Sequence, residues 1–289
     1  MENPINLTDI IFNSLNELFS KLFSSVDNTI YSLLDEITFI SPNILYNNSL
    51  EKLLGTSNTN GILLICNSLV FGFILYYSIN YLLSHLTYSK IDSPKQFVFK
   101  SIIFISIMNS SFWICEQIIN IIHIITNGLS SISFTQFNSY LNFSQFMDNL
   151  NKTLYMSNDF NIFSFDGIVK SFTSFGLINL VFNYSLRYIM VQIFVLISPF
   201  AFLSLITSSS DWFFKVWIKS FLSLLLVQIL IAFILLLSFS INFSENITLS
   251  KILYVGIIFA LTKANIYIKD LFGGISTAIS VNMTNMNIK

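Results

Sequence analysis

The chain has 289 residues, 54% of them apolar and only 10% charged, with a formal net charge of -1. Ordinary globular proteins carry about 25% charged residues, so this composition excludes a soluble fold, whose surface so few charges could not solvate. The near-neutral balance argues against a nucleic-acid-binding surface of the usual basic kind. Several apolar runs approach the roughly 20 residues that cross a hydrocarbon core. The sequence therefore reads as an all-α, polytopic helical membrane protein with about five transmembrane helices and an amphipathic helix at the N-terminus, set in the lipid bilayer of the cytoplasmic membrane.

Residues 1–60 form an extracytoplasmic amphipathic region on this reading, and 61–289 form the membrane domain. No signal peptide is expected, because Glu2, Asp9 and Glu17 stand where basic residues would. From 5 to 40, Leu7, Ile11, Leu15, Leu18, Leu22, Val26, Ile30, Leu33 and Ile37 recur at helical steps, with Asp9, Asn13, Glu17, Asn28 and Asp35 between them. The polar face is acidic and a poor match for anionic lipid. A partner helix or further copies of the chain are the expected counterpart. Pro42 and the polar "GTSNTNG" at 55–61 end the region.

Spans are expected at about 62–83, 97–122, 175–206, 221–241 and 252–267, with an extracytoplasmic loop at 126–166. Lys90, Lys95 and Lys100 follow the first span, Lys215 and Lys219 the third, and Lys263, Lys269 and Lys289 lie at or beyond the end of the fifth. The positive-inside rule then places the N-terminus outside and the C-terminus inside.

The stretch "RYIMVQIFVLISPFAFLSLI" at 187–206 begins with the only arginine and contains Pro199. Proline removes a backbone donor and clashes one turn earlier, so a kink is expected at 195–199, inside the bundle, where neighbours cover the freed carbonyl. Arg187 and Glu116, both read as lying in the outer halves of their spans, are candidates for an ion pair. The alternative is Arg187 snorkelling alone to the outer interface. Cys66 and Cys115 lie within apolar runs and read as buried, inert thiols, without a disulfide scaffold or zinc spacing.

No phosphate-binding glycine loop, dinucleotide fingerprint or zinc-protease motif occurs. Intramembrane serines such as Ser198, Ser204 and Ser223 lack a base beside them. No enzymatic activity, cofactor or metal is expected. "SSSDWFFKVWIK" at 208–219 gathers Asp211, Trp212, Lys215, Trp217 and Lys219 into an amphipathic elbow at the inner interface, either an anchor or a docking surface for a cytoplasmic partner. "ALTKANIYIKDLFGGIS" at 260–276 carries Lys263, Lys269 and Asp270 on a helix expected to stop at Gly273.

These three stretches, with "DWFFKVWIKSFLSLLLVQILIAFILL" extending the second, resemble the TrbL-type polytopic membrane subunit of conjugative type IV secretion systems, especially those of low-GC Gram-positive bacteria. The likeness covers about 175–276. It implies an oligomeric subunit of the mating channel, working beside a secretion ATPase and a coupling protein to move DNA and protein. It further implies that Ser198, Pro199 and Phe200 form a structural hinge rather than a catalytic site. A channel or scaffold subunit is the leading expectation. A self-contained small-solute transporter is the alternative, although no internal repeat is evident and five spans do not halve. A membrane enzyme would need more convergent polar residues than Glu116 and Arg187.

Overall fold

The computed structural model describes residues 11, 14, 16–18, 21, 30–55, 61–87, 93–154, 164–240 and 247–272, and every regular element among them is helical. Helix α1 covers 30–38. A 3-10 turn at Pro42–Leu45 and α2 at Asn48–Leu54 follow, then α3 (Ile62–Thr87), α4 (Pro94–Asn109), α5 (Ser111–Phe137), α6 (Phe143–Leu154), α7 (Phe165–Leu203), α8 (Asp211–Ser240) and α9 (Ile247–Phe272). Among the described residues five segments are long and apolar enough to cross a membrane: Ile62–Leu86, Ser111–Phe137, Phe165–Ile206, Asp211–Ser240 and Leu249–Phe272. The protein is thus an all-α, multi-pass membrane protein.

The second span is not where the hydropathy run puts it. The expected helix at 97–122 is divided at Ser110, with α4 ending before it and α5 starting after it. Three consecutive polar residues, Asn109, Ser110 and Ser111, sit at the break, and such side chains compete with the helix for main-chain partners. Asn109 Nδ2 turns back to the Ile105 carbonyl at 2.9 Å, and its amide pairs with Asn67 of α3 at 3.2 Å. Helix α5 then continues through the start of the expected outer loop and ends at Asn138, whose φ of 51° is the left-handed helix stop. Helix α6 fills much of the remaining loop.

Helices α5, α7, α8 and α9 form the bundle. Near one end Leu177, Leu180 and Tyr184 of α7 pack with Ile231 and Leu235 of α8 and Tyr254, Ile258 and Leu261 of α9. A Cβ on Gly176 would lie 2.4 Å from Ile258 Cγ2, so this glycine permits the close approach of α7 to α9. Near the other end Cys115 and Ile119 of α5 pack with Val191 and Val195 of α7 and Trp217 and Phe221 of α8.

Residues 30–55 belong to this bundle and are not a separate outer region. Leu34 is fully buried in the first cluster, while Ile40, Ile44, Leu45 and Leu54 are buried in the second. The amphipathic pattern correctly marks a buried face at 30–38. It carries no information on what that face meets, and here it meets the chain's own spans. The expected helix over 5–29 lies almost wholly outside the described residues.

Helix α7 has 39 residues, about 58 Å at 1.5 Å per residue, nearly twice the roughly 30 Å of hydrocarbon. It passes through Pro199 without a break in the helix and gives way only at the 3-10 turn Ser204–Ile206 before the elbow into α8.

Candidate functional site: main-chain docking inside the bundle

After α1 the chain leaves helical geometry at 39–41. Non-helical backbone at membrane depth needs partners for its freed N–H and C=O groups. Two side chains from the spans supply them. Arg187 of α7, with no exposed surface, donates from Nη2 to the Thr38 carbonyl, and to the Ile37 carbonyl at 3.2 Å. Those carbonyls lie at the C-terminal end of α1, where the helix dipole favours a cation. The Arg187 Cζ also lies 5.3 Å from the Tyr184 ring centre one turn earlier, a cation–π contact. Gln228 of α8, equally buried, accepts from the Ile40 N–H at 3.2 Å and donates to its carbonyl at 3.4 Å.

Arg187 therefore neither snorkels nor pairs with Glu116. Glu116 accepts a hydrogen bond from the Tyr46 hydroxyl. The two residues lie at different levels. Cys115 touches Ser198, so Glu116 sits near the elbow end of the bundle, while Arg187 is 11 residues before Ser198, about 16 Å along α7. The shift of span two is the cause: it turns Glu116 from the late part of a span into the first turns of α5.

The Ser198–Pro199–Phe200 patch has a definite local chemistry. In an unbroken helix the Val195 carbonyl would accept from residue 199, but proline has no N–H. The Ser198 hydroxyl donates to that carbonyl instead, at 2.7 Å. The neighbouring Phe194 carbonyl accepts from the indole N–H of Trp217 on α8 at 2.9 Å. Both Ser198 and Pro199 are buried and Phe200 is half-buried, so the proline is inside the bundle as its backbone chemistry requires.

The elbow residues divide. Trp212 is 61% exposed whereas Trp217 is 2% exposed, stacked on Phe221 with centroids 5.3 Å apart and flanked by Phe202 at 5.4 Å. Trp217 is a core residue and leaves Trp212 as the interfacial one. Asp211 pairs with Lys215 at 2.7 Å, one turn along an exposed face, and Lys219 is exposed beside them. Lys263, Lys269 and Asp270 are exposed on α9, which ends at Phe272; Gly273 lies outside the described residues.

Several polar anchors escape a hydropathy reading. Gln228 is the one amide in an otherwise apolar stretch of span four, which was its available signal. Lys251 at the start of α9 pairs with Asp166 at the start of α7, Nζ to Oδ1 2.5 Å. Asp35 reaches from α1 to the start of α6, accepting from the Phe143 N–H at 2.5 Å and the Ser144 hydroxyl at 2.9 Å. Burial holds its carboxyl above the usual aspartate range, against these hydrogen bonds, which lower it. Cys66 and Cys115 are free and buried.

No protein-family model matches the chain, and no curated protein or solved structure matches it.

Proposed function

We propose that the chain is a non-catalytic channel or scaffold subunit of a conjugative type IV secretion apparatus in the cell membrane. In this reading it works as an oligomer, beside a secretion ATPase and a coupling protein, in the transfer of DNA and protein. The observation that carries the scaffold reading is the use of Arg187 and Gln228. Both are polar groups sunk in the bundle, and both hold main-chain atoms of residues 37–40. Ser198 and Trp217 likewise serve the main chain of α7. The assignment to a secretion apparatus rests on the resemblance of the stretches at 187–206, 211–236 and 260–276.

An N-out, C-in orientation is supported by the exposed Lys215 and Lys219 at the elbow and Lys263 and Lys269 late in α9. Lys251, at the opposite end, has its charge balanced by Asp166. The test is deletion of the gene from a donor strain with complementation in trans, read as conjugation frequency, together with co-purification of a secretion ATPase on the tagged chain. A transfer frequency unchanged by the deletion overturns the reading.

A further inference from the structure

Helix α5 carries polar side chains on a flank that the described residues cover only in part. Glu116, Asn120, His123, Asn127 and Ser131 follow at steps of three or four residues and so form one stripe along a membrane-spanning helix. None of the five is buried, and Asn127 and Ser131 are exposed. On α8, by contrast, Ser220, Ser223, Gln228 and Ser238 all turn into the bundle. Within the stripe Asn127 meets His123 Nε2 at 3.0 Å, and His123 Nδ1 is buried without a partner among the described residues. Glu116 is met by Tyr46, itself 57% exposed. A different flank of the same helix exposes Ile121, Ile125 and Ile132, a surface suited to lipid.

Amides, an imidazole and a carboxylate at membrane depth face the bundle interior or water, because hydrocarbon offers them no hydrogen bonds. The bundle interior lies on yet another flank, at Cys115, Ile119, Ile122 and Thr126. We propose that in the assembled protein the Glu116–Ser131 stripe lines a water-filled path across the membrane. This rests on the channel-subunit reading and names the helix that faces the conduit.

The test uses the full chain in native membranes. Cysteines are introduced singly at Asn120→Cys, Asn127→Cys and Ser131→Cys, and on the apolar flank at Ile121→Cys, Ile125→Cys and Ile132→Cys. The native thiols are buried, so labelling of the parent chain serves as background. A charged methanethiosulfonate, which needs the thiolate and therefore water, should label the stripe at least about tenfold faster than the flank. Equal labelling of both faces, or a silent stripe, overturns the proposal. If the stripe reacts and deletion of the gene leaves transfer normal, the conduit stands and the secretion reading fails. If transfer requires the chain and the stripe is silent, the reverse holds.

Discussion

Gln228 grips Ile40 at both main-chain groups, accepting from its N–H at 3.2 Å and donating to its carbonyl at 3.4 Å, while the same Nε2 donates to Thr126 Oγ1 at 3.2 Å. One amide thereby ties the N-terminal segment, α5 and α8 together inside the bundle, where Gln228 and Thr126 are both buried. The Gln228 side chain fulfils the role that a neighbouring strand or helix turn would play for Ile40. The fold of residues 30–55 thus depends on a residue 188 positions away.

Gln228→Leu should detach this segment. Each buried main-chain group left without a partner costs about 1–3 kcal/mol, and the substitution orphans two. The purified protein should melt at lower temperature in detergent, and a protease should cut within residues 30–55 faster than in the parent. Membrane abundance should stay near the parent value, since leucine favours insertion. An unchanged melt and cleavage rate would show that the grip contributes nothing.

Arg187 and Glu116 should act independently. Arg187→Ala removes the donors to Ile37 and Thr38, and Glu116→Ala removes the acceptor of Tyr46. They share no partner, so the double substitution should equal the sum of the singles within about 0.3–0.5 kcal/mol. Thermal stability of the four proteins in one lipid or detergent closes the cycle. A coupling well beyond that sum would mean that the charges do interact.

Span existence was legible because a run of apolar residues is nearly sufficient to specify a transmembrane helix. Span position was less so: hydropathy runs on from Phe97 to Ile122, and only the local polarity of Asn109, Ser110 and Ser111 marks the break. That error moved Glu116 to the wrong level and suggested a partner it does not have. The buried place of Pro199 followed from backbone chemistry alone, whereas the bond from Trp217 to the Phe194 carbonyl required knowing which helix lies beside α7. The docking of residues 37–40 was not legible. Periodicity reports that a face is buried, while the choice between a partner and the chain's own interior is made by long-range polar matches such as Gln228 with Ile40.

Asp35 gives the junction between α1 and α6 a pH dependence of calculable sign. Burial raises its carboxyl pKa in the folded state above the ordinary value, so the folded chain takes up the proton more readily than the unfolded chain. Its ionised form therefore subtracts from stability at neutral pH, and that loss is relieved as pH falls through the raised pKa. Asp35→Asn keeps an acceptor for the Phe143 N–H without the charge. The melting temperature of the parent minus that of Asp35→Asn should thus increase from pH 7 towards pH 4. A difference that is flat or that shrinks would contradict the buried, ionised carboxylate.

Ser198 and Pro199 should be coupled, because the hydroxyl of one replaces the N–H that the other lacks. With Pro199 present, Ser198→Ala strips the Val195 carbonyl of the donor at 2.7 Å, a loss of about 1–3 kcal/mol for a buried acceptor. In a Pro199→Ala background residue 199 has its N–H again and can bond that carbonyl, so Ser198→Ala should then cost only a few tenths of a kcal/mol, since Ser and Ala differ little in bulk. The contact between Ser198 and Cys115 is lost in both backgrounds and cancels in the cycle, as does any cavity left by the proline ring. Thermal unfolding of the parent, both singles and the double should give a coupling of about 1 kcal/mol or more. Ser198→Ala of equal cost in both backgrounds would mean that the hydroxyl does not stand in for the missing N–H, and the local account of this turn would have to be replaced.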